Sequence, residues 1–195
     1  MGKALMEDLP YPDLSNIGPD LKAARILSPA YAAAGSELTA ILQYIFHGFQ
    51  FGHKNMPDYA ELMTDIAIAE MRHLDLLGET LLRLGANPIY TACPPIPRCY
   101  YTTDYVNYAT VPASMLLADI SGESAAIDGY EKMLTLLDND AVSALISRII
   151  LDETLHLKRL RLAYADLCKA SPAACRRGQQ GAPAGSGLPA YDQSS

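Results

Sequence analysis

Glu70 and His73, in the run AEMRH, and Glu153 and His156, in the run LDETLH, share one spacing: a glutamate, then a histidine three residues on. With eight glutamates and four histidines in 195 residues, chance placement supplies roughly 0.16 such pairs. The chain carries two. Residues three apart on a helix lie on one face, so each pair can grip a single cation. Two more glutamates complete the set. Glu37 and Glu123 are each followed seven residues later by a tyrosine, Tyr44 and Tyr130, two turns along the same helical face. The sequence therefore repeats itself: Glu…Tyr then Glu-x-x-His, twice.

The chemistry follows from charge. Four carboxylates meeting in a helical core repel, each pair by ~4 kcal/mol at about 4 Å and an effective dielectric of about 20. Either they take up protons or cations sit between them. Two divalent ions balance four glutamates, and two neutral imidazoles add nitrogen ligands without changing that sum. Mixed carboxylate and imidazole ligation suits two iron or two manganese ions better than zinc or calcium. Glutamates can move between terminal and bridging modes, which leaves a position open for a small oxidant.

Four long amphipathic segments must hold these residues. The first opens at Ser28-Pro29, a cap residue and a first-turn proline, with the seam Ala30, Ala33, Glu37, Ala40, Tyr44, His47, Phe51. The second opens at Pro57-Asp58 and closes at Gly85, with the seam Leu62, Ile66, Glu70, His73, Leu77, Leu84. The third opens near Thr110–Pro112 and carries Glu123 and Tyr130 among Leu116, Ile120, Ile127 and Leu134. The fourth follows Asp138-Asn139-Asp140 and carries Glu153 and His156 among Ile146, Ile149, Leu160 and Leu167. Each helix would run ~25 residues, roughly 37 Å. Short links within each pair predict antiparallel hairpins. Between the pairs, residues 86–111 hold four prolines and five tyrosines, enough chain to cross the bundle from end to end and pack on it. Two hairpins and one long crossover make an all-α four-helix bundle of ferritin-like topology. Residues 1–27 read as an irregular arm, 28–168 as the bundle, and 169–195, rich in Ala, Gly, Pro, Ser and Gln, as a disordered tail.

The motif set resembles the ferritin-like dinuclear-metal superfamily, closest in pattern to rubrerythrins and manganese catalases, over residues 28–168. That resemblance implies that Glu37 is a terminal ligand and Glu70 a bridging one with His73 beside it. It places Glu123 in the ligand position of the third helix, with Glu153 and His156 completing the second half-site. In manganese catalases the glutamate matching Glu153 is similar to an outer proton carrier, so Glu153 is also the candidate catalytic residue. The helix-three glutamate that rubrerythrins add is Ala126 here, and a cysteine-rich electron-transfer domain is missing. The implied activity is oxidation–reduction of hydrogen peroxide or dioxygen, catalase- or peroxidase-like, with an external electron donor in the second case. Iron oxidation and storage, or a bundle that keeps metals only for folding, are the rival classes.

Neighbours of the ligands are expected from the same faces. Asp152 and Asp119 are candidates to accept the outer ring N–H of a ligating histidine, with Asp152 equally placed to pair with Arg148. Tyr44 and Tyr130 are candidates to donate to ligand carboxylates. His47 has no glutamate three residues before it and is read as a non-ligand.

Composition limits the partners. The formal net charge of −7 argues against nucleic-acid phosphates and anionic membranes as partners. No apolar run is long enough for a signal sequence or a membrane span, so a cytoplasmic protein, assembled as a homo-oligomer, is expected. Cys93, Cys99, Cys168 and Cys175 contain no CxxC pair and are expected to be reduced thiols. A redox couple of Cys93 and Cys99 is the lesser alternative.

Overall fold

The computed structural model describes residues 2–91, 100–173 and 175–176. Cys93, Cys99 and the segment from 177 onward lie outside the described residues. Among the described residues there are five α-helices, α1 (Leu21–Ala32), α2 (Glu37–His53), α3 (Pro57–Arg83), α4 (Pro112–Leu136) and α5 (Asp140–Ala170), and a short 3-10 turn at Thr103–Tyr105. The four long ones form the bundle as two antiparallel hairpins, α2 with α3 and α4 with α5, each closed by a three-residue link.

Local chemistry sets the helix ends. Ser36, Asp20 and Asn139 cap α2, α1 and α5, each accepting a backbone N–H of the first turn through its side chain. Pro57 and Pro112 sit at the first positions of α3 and α4, where a missing N–H costs nothing. The expected stop of α3 at Gly85 holds. Gly85 adopts φ +86°, and the N–H groups of Gly85 and Ala86 close back on the carbonyls of Leu82 and Leu81.

Four expectations need correction. The first bundle helix does not open at Ser28-Pro29: Pro29 lies inside α1, and the backbone turns extended at Ala33 before Ser36 starts α2 afresh. Gly35, a poor helix former, and the Ser36 side chain, which accepts the Thr39 N–H, favour a break and a fresh start over one continuous helix. Residues 1–27 are accordingly not all irregular, since α1 begins at Leu21 and packs across α3, α2 and α4. On α3, Gly78 makes room for this: a Cβ there would meet the Tyr31 ring of α1 at 3.3 Å. At the other end, α5 takes in the first two residues of the expected tail, ending at Ala170. Cys168 and Cys175 lie 5.2 Å apart at Cα and are disulfide-bonded rather than free, because helix geometry just after Ser171 brings position 175 back over the last turn.

The apolar core comes in two blocks. One gathers Leu27, Tyr31, Leu77, Leu81, Leu145, Ile146 and Ile149; the other gathers Phe51, Met63, Ile66, Leu116, Leu160 and Leu167. Along α3 the order is second block, Glu70 and His73, first block, and along α5 it reverses. The antiparallel pairing thus places both Glu-x-x-His motifs in one polar layer between two dry ones. The crossover packs as expected where it is described: Tyr90 stacks on Tyr31 at 5.4 Å, and Tyr108 meets Phe46 edge-on at 5.0 Å.

Candidate metal centre

All six residues singled out by spacing meet in the polar layer. Glu37, Glu70, Glu123, Glu153, His73 and His156 are each at most 4% exposed. Two overlapping groups form, Glu37–Glu70–His73–Glu153 and Glu70–Glu123–Glu153–His156, and within each the candidate ligand atoms lie within 4.8 Å of one another. Glu70 and Glu153 belong to both groups. Nδ1 of His73 lies 2.7 Å from Glu70 and 3.2 Å from Glu153; Nδ1 of His156 lies 3.1 Å from Glu70 and 3.5 Å from Glu153. The two half-sites are related as the sequence repeat is. Tyr130 donates to Glu37, and Tyr44 donates to Glu123, each phenol reaching across to the opposite hairpin.

The outer nitrogens of the imidazoles are held from outside the bundle core. Nε2 of His156 is 2.7 Å from the carbonyl oxygen of Leu5. A carbonyl can only accept, so Nε2 carries a proton and Nδ1 is the nitrogen that faces the glutamates. Nε2 of His73 is 3.2 Å from Asp152. Asp152 also accepts the Tyr11 hydroxyl at 2.6 Å and the Glu7 N–H at 2.8 Å, and it pairs with Arg148 at 2.8 Å. Burial opposes ionisation of Asp152, but His73, Arg148 and Tyr11 outweigh it and hold its carboxyl at about 2. Arg148 in turn donates to the carbonyls of Glu7 and Leu9, fastening the arm.

Asp152 therefore meets both His73 and Arg148. Asp119 behaves differently from expectation. It faces neither His73 nor His156 but takes His47 Nδ1 at 2.8 Å and Gln43 Nε2 at 2.8 Å, because one turn before Glu123 points it toward α2 below the centre. His47 is outside both ligand groups. The sequence pattern gave the N-terminal arm no part in the site. Leu5 acts through its backbone, which no side-chain pattern reveals, and Tyr11 lies in a stretch with no period.

Protons fill the centre when cations do not. Burial drives the Glu37 and Glu123 carboxyls well above the ordinary range, and the charges of Glu70 and Glu153 push the same way. Burial also raises Glu70, but the positive charges of His156 and His73 outweigh it and hold it low. Glu153, raised by burial and by Glu70, is brought down to about 2 by the adjoining His156, His73 and Glu123. Burial lowers both imidazoles; the surrounding carboxylates win and lift each well above its usual value. Burial and the adjoining glutamates raise the Tyr44 and Tyr130 phenols, which stay protonated as donors.

These donors fit a pair of metal ions. Glu70 Oε1, Glu153 Oε1 and His156 Nδ1 are buried without a hydrogen-bond partner, a costly arrangement for an apolar interior. A cation between them would satisfy all three at once. Four carboxylates and two nitrogens, two of the carboxylates shared, are the donor set for two first-row divalent ions.

A four-helix bundle with paired Glu and Glu-x-x-His motifs defines the class, that of dinuclear carboxylate bundles. The ferritin-like domain model matches residues 32–167, and the chain belongs to that family. None of the curated proteins matches the sequence significantly. Among solved structures, a manganese catalase from Anabaena is similar at TM-score 0.74 and 20% identity, over 86% of this chain and 82% of that one. A Rhodobacter capsulatus bacterioferritin with a metal-free dinuclear site is similar at TM-score 0.65 and 24% identity, over 85% and 96%. A dodecameric thioferritin from Bacteroides fragilis is similar at TM-score 0.64 and 18% identity, over 82% and 94%. At these identities the likeness shows the fold. No helix among the described residues is long and apolar enough to cross a membrane.

Proposed function

We propose that the protein is a dinuclear iron or manganese oxidoreductase acting on hydrogen peroxide or dioxygen. The observation that carries this reading is the sharing of Glu70 and Glu153 between two groups whose ligand atoms lie within 4.8 Å. Two ions held by shared carboxylates can exchange two electrons with one bound oxidant. Glu37 and His73 would hold one ion, Glu123 and His156 the other, with Glu70 and Glu153 between them.

The chain's own residues have separable tasks. Leu5 and Asp152 fix the imidazole tautomers, so both Nδ1 atoms face inward. Tyr130 and Tyr44 hold Glu37 and Glu123 by one oxygen each and leave the other free. Glu153 is the proposed proton carrier: it touches both imidazoles and lines the open cavity beside the centre, so a proton can pass between its carboxylate and a peroxide entering there. The two apolar blocks keep bulk water from the remaining faces.

Peroxide disproportionation needs no electron donor, whereas peroxidase chemistry draws electrons from an external one; a homo-oligomer in the cytoplasm is the proposed setting. Oxygen evolution from hydrogen peroxide, measured on the metal-loaded protein without reductant, tests the catalase form. Absence of evolution together with uptake of many irons per chain would move the assignment to iron oxidation and storage. Bound metals with neither activity would leave a bundle that keeps them for folding.

A further inference from the structure

Hydrogen peroxide is about the size of two water molecules, yet the centre opens onto a cavity of about 590 Å³ between α1, α2 and α4. Glu70 and Glu153 stand on its floor with buried oxygens that have no hydrogen-bond partner. Its walls are mostly small and apolar, with Ala30, Ala33 and Ala40 facing Ala118, Ala126 and Met133. A cavity of roughly 150 Å³ already takes benzene, and small-molecule sites run about 300–1,000 Å³ with a few polar groups at one end.

The glycines of α4 add an independent reason. Gly122 and Gly129 line the cavity two turns apart, and a Cβ at either would meet nothing within 4 Å. Glycine inside a helix costs about 1 kcal/mol relative to alanine, and no neighbouring atom demands it here. Space is what these positions preserve. The lining also contains no lysine or arginine, so no side chain on the walls would pair with an anionic guest.

We infer that this cavity binds a neutral organic hydroperoxide, its hydrocarbon group against the alanine and glycine walls and its oxygens toward Glu70 and Glu153. The inference rests on the proposed function and widens its substrate from hydrogen peroxide to hydroperoxides with an apolar group. Binding alone is claimed, which keeps the test independent of turnover.

The test uses the full chain and 2-phenyl-2-propanol, the unreactive alcohol matching cumene hydroperoxide, titrated calorimetrically into metal-loaded and metal-free protein. Saturable binding, weakened at least tenfold by Gly129→Leu and by Ala125→Leu at the exposed rim, is the expected result; either variant suffices if the other fails to fold. Two metal ions per chain should be retained in both. Absence of alcohol binding by protein that loads two metals and consumes hydrogen peroxide would overturn the inference and leave the function intact. Equal binding by wild type and both variants would overturn it too, since the alcohol would then sit elsewhere. Binding that persists in the metal-free protein and is lost in the variants would support the cavity assignment even if peroxide turnover failed. Sedimentation guards against one misreading: if wild type binds no alcohol and Gly129→Leu breaks up an oligomer, the groove is a subunit contact and the inference falls.

Discussion

Loading the centre with divalent metal should expel about four protons per chain, and the number follows from the charges in the polar layer. Without metal, Glu70 and Glu153 are anionic against two protonated imidazoles, while Glu37 and Glu123 favour the neutral acid. That arrangement is neutral. Four carboxylates, two neutral imidazoles and two divalent ions are neutral as well, so ions replace protons at constant charge: one proton from each of Glu37, Glu123, His73 and His156. The sign is fixed by the raised values of these four groups, which hold protons that metal must displace; affinity therefore rises with pH and levels off once they are ionised in the free protein. Two protons per ion correspond to about 100-fold in affinity per pH unit, or about 2.7 kcal/mol. Calorimetric titration with Mn(II) at pH 7 in two buffers of different ionisation enthalpy counts the protons directly, and repetition at pH 6 gives the slope. Release of fewer than one proton, or equal affinity at the two pH values, would refute the charge argument.

Because Glu70 belongs to both ligand groups and Glu37 to one, Glu70→Ala should lose both ions while Glu37→Ala keeps one, as read by metal analysis after desalting. Tyr11→Phe removes a 2.6 Å hydrogen bond to ionised Asp152. Such bonds contribute about 1.5–3 kcal/mol, and loss of the support behind a ligating histidine costs about 10–100-fold in metal affinity; unchanged Mn(II) affinity would show that the arm does not position His73. Ser36→Ala removes the cap of α2 one residue before Glu37 and should cost about 1 kcal/mol in urea unfolding, with no loss beyond error arguing that the break before α2 is stabilised from elsewhere.

The helical spacing of polar residues was the most legible feature of the chain. A glutamate or histidine in a leucine seam carries a desolvation cost that only a shared purpose offsets, so Glu37, Glu70, His73, Glu123, Glu153 and His156 could be grouped before any fold was known. Periodicity also placed α3, α4 and α5 within a residue or two, since proline and asparagine mark their starts. The first hairpin was less legible. Seam residues run through Ala30, Ala33 and Glu37 without interruption, and alanine packs equally well on a helix or a turn, so the break at 33–36 left no hydrophobic signature. Asp119 was misread for a related reason: spacing gives the face but not which of two neighbouring histidines lies nearer. The arm acts through the Leu5 carbonyl and through Tyr11, a backbone group and a side chain outside any repeat. The Cys168–Cys175 bond depends on where α5 ends, which composition alone did not fix.

The central claim is a centre for two metal ions, and metal content tests it most directly. Protein purified from iron- or manganese-replete cells should contain close to two ions per chain, with anomalous scattering peaks between Glu37, His73, Glu123, His156 and the shared Glu70 and Glu153. Protein that holds no ion under replete conditions, or one whose ions lie outside this layer, would contradict the account.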